Sequence, residues 1–140
     1  MTTPTRIQRK RTKGWRMPAG TVYVGRPTMW GNPFKANGDT MEAIARYESA
    51  LLGQIGWAVQ YLQRYLNRFD ASAATAYDHH IDAAPDIDDL RRLIVYHLKD
   101  RDLACWCRLC DEHKDGLPLG VKCDKCAPCH ADVLLDLANR

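Results

Sequence analysis

Apolar residues recur at helical spacing in three stretches of the chain. Ile44, Tyr47 and Leu51 fall on one face of a helix that Asp39 or Thr40 can cap. After an interruption at Gly53 and Gly56, Trp57, Tyr61, Leu62, Tyr65, Leu66 and Phe69 take up the same period. Ile87, Leu90, Leu93, Ile94 and Leu98 form the third stripe, and Val133, Leu134 and Leu137 predict a short final helix from Ala131 to Ala138. Two other runs read as buried strands. Thr21–Gly25 is β-branched and aromatic and closes on glycine, and Leu103–Trp106 is apolar throughout. Two strands make a thin sheet, so a further strand is expected near residues 5–8 or 14–18. Between the first strand and the first helix, Pro27, Gly31 and Pro33 interrupt Arg26–Phe34, which is therefore a shaped loop at the end of a strand. Helices lying between short strands predict a small α/β layer fold with a short parallel sheet and flanking helices.

A length of 140 residues suits one domain with a real core, and a hydrophobic fraction of 46% is ordinary for a globular chain. No apolar run approaches the roughly 18 residues a membrane span needs, and the first residues lack the apolar stretch of a signal peptide. The expected location is the cytoplasm, with no membrane partner. Charge is uneven. Residues 1–38 hold eight Lys or Arg and no acid, whereas the remainder holds twelve basic and seventeen acidic residues. Residues 1–14 read as a flexible basic arm, with residues 15–140 as the single domain. Residues 70–89, with six aspartates and no Lys or Arg, read as an acidic connection. A positive end suits phosphate, on a nucleotide or a nucleic acid, although such a run is also what a solvated arm looks like.

The cysteines change the picture most. All six lie between Cys105 and Cys129. In a reducing compartment, pairs at two-residue gaps favour a metal over disulfides. Cys107, Cys110, Cys123 and Cys126 have the spacing of a four-thiolate zinc knuckle. A second set exchanges Cys107 for His113, and both stay open at this point. Either way four protein ligands close the ion off, so Zn2+ would brace a zinc-binding insertion at 107–129 rather than perform chemistry. Cys126–His130 also spells a haem-attachment pattern, which requires export, and no His-x-Glu accompanies Pro128–Cys129 as a zinc deaminase requires.

Cys105, Cys129 and His130 remain as candidate catalytic residues. Cys129 and His130 open the final helix, where free N–H groups and the helix dipole favour anions and ease ionisation of a thiol. Either can attack or carry a proton, or Cys105 is simply a small buried hydrophobe and His130 a cap. In the loop, Arg26 can fork onto phosphate, Trp30 can stack on a base and Asn32 can read an amide-like edge. The alternative is a packed turn anchored by Trp30 and Phe34. His79 and His80 read as a solvated turn.

Five segments occur here in one order: Arg6–Trp15, Val22–Arg26 (VYVGR), Trp30–Phe34 (WGNPF), Leu103–Cys107 (LACWC) and Cys129–Leu135 (CHADVLL). In this combination the chain resembles the uncharacterised family domain of unknown function 4326, of bacteria, chiefly actinobacteria, and their phages. The resemblance implies that Arg26, Asn32, Cys105, Cys107, Cys129 and His130 belong to a common core, and that the cysteine insertion is a local brace that shorter members lack. It implies no activity. For a phage-encoded chain the compartment would be the host cytoplasm. The expected function is a small zinc-binding α/β protein that binds a nucleotide or nucleic-acid component and is equipped to act on it. The alternatives are a zinc-braced nucleic-acid-binding module without catalysis, gripping phosphates through the arm, and a phage or host interaction protein with no small ligand. The sequence decides neither catalysis nor a protein partner.

Overall fold

The computed structural model describes residues 3–35, 38–69 and 86–140. The acidic connection lies, as far as residue 85, outside them, and so do His79 and His80. Among the described residues four short strands form one sheet: β1 (Thr5–Gln8), β2 (Val22–Tyr23), β3 (Leu103–Cys105) and β4 (Leu117–Pro118), in the order β2-β3-β1-β4. β3 runs parallel to both β2 and β1, so the predicted parallel sheet is present. β4 pairs antiparallel with β1, so the sheet is mixed, with an edge strand supplied by the cysteine-rich segment.

The helices are α1 (Thr40–Leu51), α2 (Gly56–Leu66), α3 (Ile87–Leu98) and α4 (His130–Ala138). α1 starts where Asp39 accepts a hydrogen bond from the Glu42 N–H at 3.0 Å. α3 starts at a capping box in which the Asp86 and Asp89 side chains each accept from the other's backbone N–H. Two donors of the first turn are thereby satisfied. Asp86→Ala should cost about 1 kcal/mol, lowering the thermal midpoint by roughly 2–4 °C. A melting curve matching the wild type would mean that α3 is held by packing alone.

α4 packs on β1 and β3, α1 and α3 pack on α4, and α2 packs on α1 and α3. The predicted stripes face inward: Tyr47, Leu51, Leu62, Leu66, Leu90, Leu93, Ile94 and Leu98 are all fully buried with Leu103, Leu134 and Leu135. Burying each such side chain is worth about 1.5–3 kcal/mol. Trp57 and Tyr61 depart from the pattern at 54% and 40% exposed. A separate small cluster of Leu109, Leu117 and Cys126 lies within the cysteine-rich segment.

The further strand expected near residues 5–8 is β1, an inner strand, and the reading of residues 1–14 as a flexible arm is corrected there. Arg6 is the reason. Its side chain is 1% exposed; one guanidinium nitrogen donates to Asp132 Oδ2 at 2.7 Å and the other to the Ala127 carbonyl at 2.7 Å. The Thr5 N–H donates to Asp102, and the Arg9 N–H continues the ladder to the Cys105 carbonyl at 2.7 Å. The charge that marks this segment as an arm is in part buried structure.

Candidate metal centre and adjoining pocket

Of the two ligand sets the spacing allows, the fold assembles Cys110, His113, Cys123 and Cys126, whose ligand atoms all lie within 4.8 Å of one another. Cys110 Sγ is 3.8 Å from Cys123 Sγ, 3.5 Å from Cys126 Sγ and 3.2 Å from His113 Nδ1. A short 3-10 turn over Asp111–His113 swings the imidazole back towards Cys110. The Cys126 thiol accepts a hydrogen bond from the Cys110 N–H at 3.3 Å, as the sulfur acceptor of a knuckle turn does. Desolvation raises the Cys123 thiol, but hydrogen bonds from the N–H groups of Lys125 and Cys126 and from the Cys126 and Cys110 thiols together outweigh it and hold the thiol at about 7. The group can hold one metal ion.

Cys107 is therefore not the fourth member of that set. It lies with Cys105 and Cys129, and these three Sγ atoms are also mutually within 4.8 Å. Two-residue spacing at the end of β3 puts Cys105 and Cys107 on one side, and Cys129 reaches them as the N-cap of α4. All three are free thiols. Cys105 and Cys129 are buried with their sulfurs 3.0 Å apart, and Cys107 is half-buried. Hydrogen bonds from Cys105 and Cys129 pull the Cys107 thiol far down, with help from Arg6, while Cys129 is pushed well up. Among the three, Cys107 is the sulfur whose charged form its neighbours favour; the sequence reading had counted it with the other metal set.

His130 opens α4 and is held on two sides. Its Nε2 donates to the Val24 carbonyl at 2.8 Å, and its ring meets Tyr47 edge-on with centroids 5.5 Å apart. That bond leaves Nδ1 with its lone pair, 3.7 Å from Cys129 Sγ. Burial lowers the His130 pKa, so the neutral ring is favoured.

Beside these groups lies a cavity of about 370 Å³, at the carboxyl ends of β2 and β3 and the N-terminus of α4. Arg26, Asn32, Cys105, Cys107, Cys129 and His130 all line it, so six positions from three distant parts of the chain meet at one place. Its lining contains no Asp or Glu. Asn32 serves mainly as a brace: its amide donates to the Ala43 carbonyl at 3.2 Å and its oxygen accepts from the Phe34 N–H at 2.9 Å. Trp30 does not line the cavity. It is 8% exposed, packed in the core, and its carbonyl accepts from the Tyr47 hydroxyl at 2.8 Å. The expected stacking role of Trp30 is thus corrected to that of a core anchor. Gly31 allows the loop to close, since a Cβ there would stand 2.7 Å from Arg26 Cγ and 2.9 Å from the Tyr65 hydroxyl.

The sequence reading missed the aromatic and cationic groups flanking this opening. Arg9 lies over both the Tyr23 and Trp106 rings, at 4.5 and 5.1 Å, and Arg11 lies over Trp106 at 4.8 Å. On the other side Arg26 is shared with a second groove, which Lys35, Tyr61, Arg64, Tyr65 and Arg68 also line. Phe34, which lines the cavity, stacks on Tyr61 of the groove with centroids 5.0 Å apart. Arg64 and Arg68 at i and i+4 could have suggested a basic helix face. Lys35 and Arg26 join them only through the fold. No helix among the described residues is long and apolar enough to cross a membrane.

A family model described as domain of unknown function (DUF4326) matches residues 7–140. No curated protein and no solved structure matches the chain.

Proposed function

We propose a function for a chain that belongs to the domain of unknown function family DUF4326: a zinc-braced α/β protein that binds a nucleotide or nucleic-acid component across the Arg26 cavity and its neighbouring groove. Zinc is the ion that best suits Cys110, His113, Cys123 and Cys126. Its bonds to sulfur of about 2.3 Å place tetrahedral thiolates about 3.8 Å apart, and the spacings of 3.5 and 3.8 Å here match that edge. Three cysteines and a histidine are a common structural zinc set.

The observation that carries the ligand reading is the continuity of positive charge through Arg26. One side of this residue faces a cavity free of carboxylates at the ends of parallel strands, where α/β sheets bind ligands. The other faces a groove of about 330 Å³ lined by three further cations, two tyrosines and no acid. Phosphates fit the groove, held by Arg26, Lys35, Arg64 and Arg68. The exposed faces of Tyr61 and Trp57 offer stacking platforms. The base or terminal group then enters the cavity towards Cys107 and His130.

The non-catalytic module keeps one observation in its favour. Cys129, the expected nucleophile, is 2% exposed and tied to Cys105. The burial of Arg6 takes one cation from the arm on which that module relied, and deleting residues 1–16 would remove β1 rather than test binding.

Fluorescence anisotropy with a labelled single-stranded oligonucleotide, with nucleoside triphosphates as competitors, tests the proposal. Arg26→Ala should weaken binding about 10–100-fold, the value of a hydrogen bond to a charged group. Arg64→Ala with Arg68→Ala should flatten the salt dependence. Absence of binding by any oligonucleotide or nucleotide at low salt would falsify the reading.

A further inference from the structure

We infer that Cys105, Cys107 and Cys129 form a second metal site, for a borderline-soft divalent cation such as zinc, with one coordination position open to the Arg26 cavity. The six cysteines divide into two groups of three. Cys110, Cys123 and Cys126 are completed by His113, and the other three converge from the end of β3 and the start of α4. Their sulfurs lie within 4.8 Å of one another, so one ion can touch all three. Cys105 and Cys129, at 3.0 Å, must spread towards the tetrahedral edge of about 3.8 Å when the ion enters.

Two features beyond the sulfurs point to an ion. The first is the cavity. All three cysteines line it, so a three-thiolate ion would show its fourth side to a space of about 370 Å³. A closed structural site keeps no such face, whereas a site with three protein ligands keeps it for water or a ligand atom. The second is His130, whose Nε2 bond to the Val24 carbonyl leaves Nδ1 turned to the thiol side, 3.7 Å from Cys129 Sγ, as an acceptor for a water that the ion would hold in its fourth position. Thiolate ligands select zinc and other soft ions over magnesium or calcium.

The experiment counts metal in the full chain, purified anaerobically, loaded with Zn2+ and dialysed. Two zinc ions per chain are expected, falling to one in Cys107→Ser. Cys107 is half-buried and belongs to neither helix nor strand, so this variant spares the core. With Co2+ in place of Zn2+, the thiolate-to-cobalt absorption should halve in Cys107→Ser, because three of six thiolates lose their ion. Cyanide should shift the cobalt bands of the wild type and leave those of Cys107→Ser unchanged, since only the open site has room. One ion per chain in the wild type, two in Cys107→Ser, or a Cys105–Cys129 disulfide in the fresh anaerobic protein would each overturn the inference. These counts do not depend on nucleotide binding, so either proposal can fail alone.

Discussion

Cys126→Ser should abolish the ordered structure of residues 109–127 while leaving the helical core folded. Cys126 is 5% exposed and contributes both a sulfur of the group proposed to hold zinc and one of the few apolar contacts of the small cluster with Leu109 and Leu117. That cluster is too small to repay the backbone entropy of the segment, about 1–2 kcal/mol per residue. A structural zinc supplies about 10–16 kcal/mol in zinc-finger peptides, so with zinc in the proposed site, removing a ligand or chelating the ion would withdraw the main source of order. The large cluster around Tyr47, Leu90 and Leu134 is separate and should persist. In amide exchange, residues 109–127 should lose protection while α1 and α3 keep theirs. Protection that survives in the variant or in EDTA would show that the segment folds without an ion.

The second large effect concerns Arg6. Asp132→Ala should lower stability by about 3 kcal/mol, the lower end of the range for breaking a buried ion pair. The lower end applies because Asp132 is 44% exposed while its partner is 1% exposed. What costs energy is the remnant, a guanidinium left in the interior with the Ala127 carbonyl as its remaining partner. Burial raises the Asp132 pKa against the pull of Arg6, so the carboxylate gains little from its own position. Replacing both residues, as Arg6→Met with Asp132→Ala, should therefore recover much of the loss. Urea unfolding of the two variants decides the matter, and a double variant less stable than Asp132→Ala would contradict this account.

The helices were legible because their information is local. Period, an aspartate cap and a breaking glycine all lie within a few residues of one another, and α1, α3 and α4 follow them closely. β1 could be offered only as one of two places for a missing strand, because its meaning is distant. Arg6 among Arg9, Lys10 and Arg11 looks like a solvated run until Asp132, 126 positions later, is placed beside it. The metal set was ambiguous for a different reason. Cys107 and His113 both stand three residues from Cys110, so spacing alone cannot rank them. The outcome depends on the direction of the chain after β3, where Gln8 accepts from the Leu109 N–H at 2.9 Å and leaves Cys107 with Cys105. Trp30 misled because an aromatic ring among Gly and Pro suits a binding loop and a packed one equally. The choice is made by Tyr47 and by His97, whose ring centroid is 6.1 Å from that of Trp30.

β4 would give the proposed metal centre a reach beyond its own loop. The strand belongs to the cysteine-rich segment, and it occupies the flank of β1 opposite β3. A bare strand flank is a template on which another polypeptide can dock. Loss of the ion would uncover that flank in an otherwise intact molecule, so metal starvation should show first as self-association and only afterwards as denaturation.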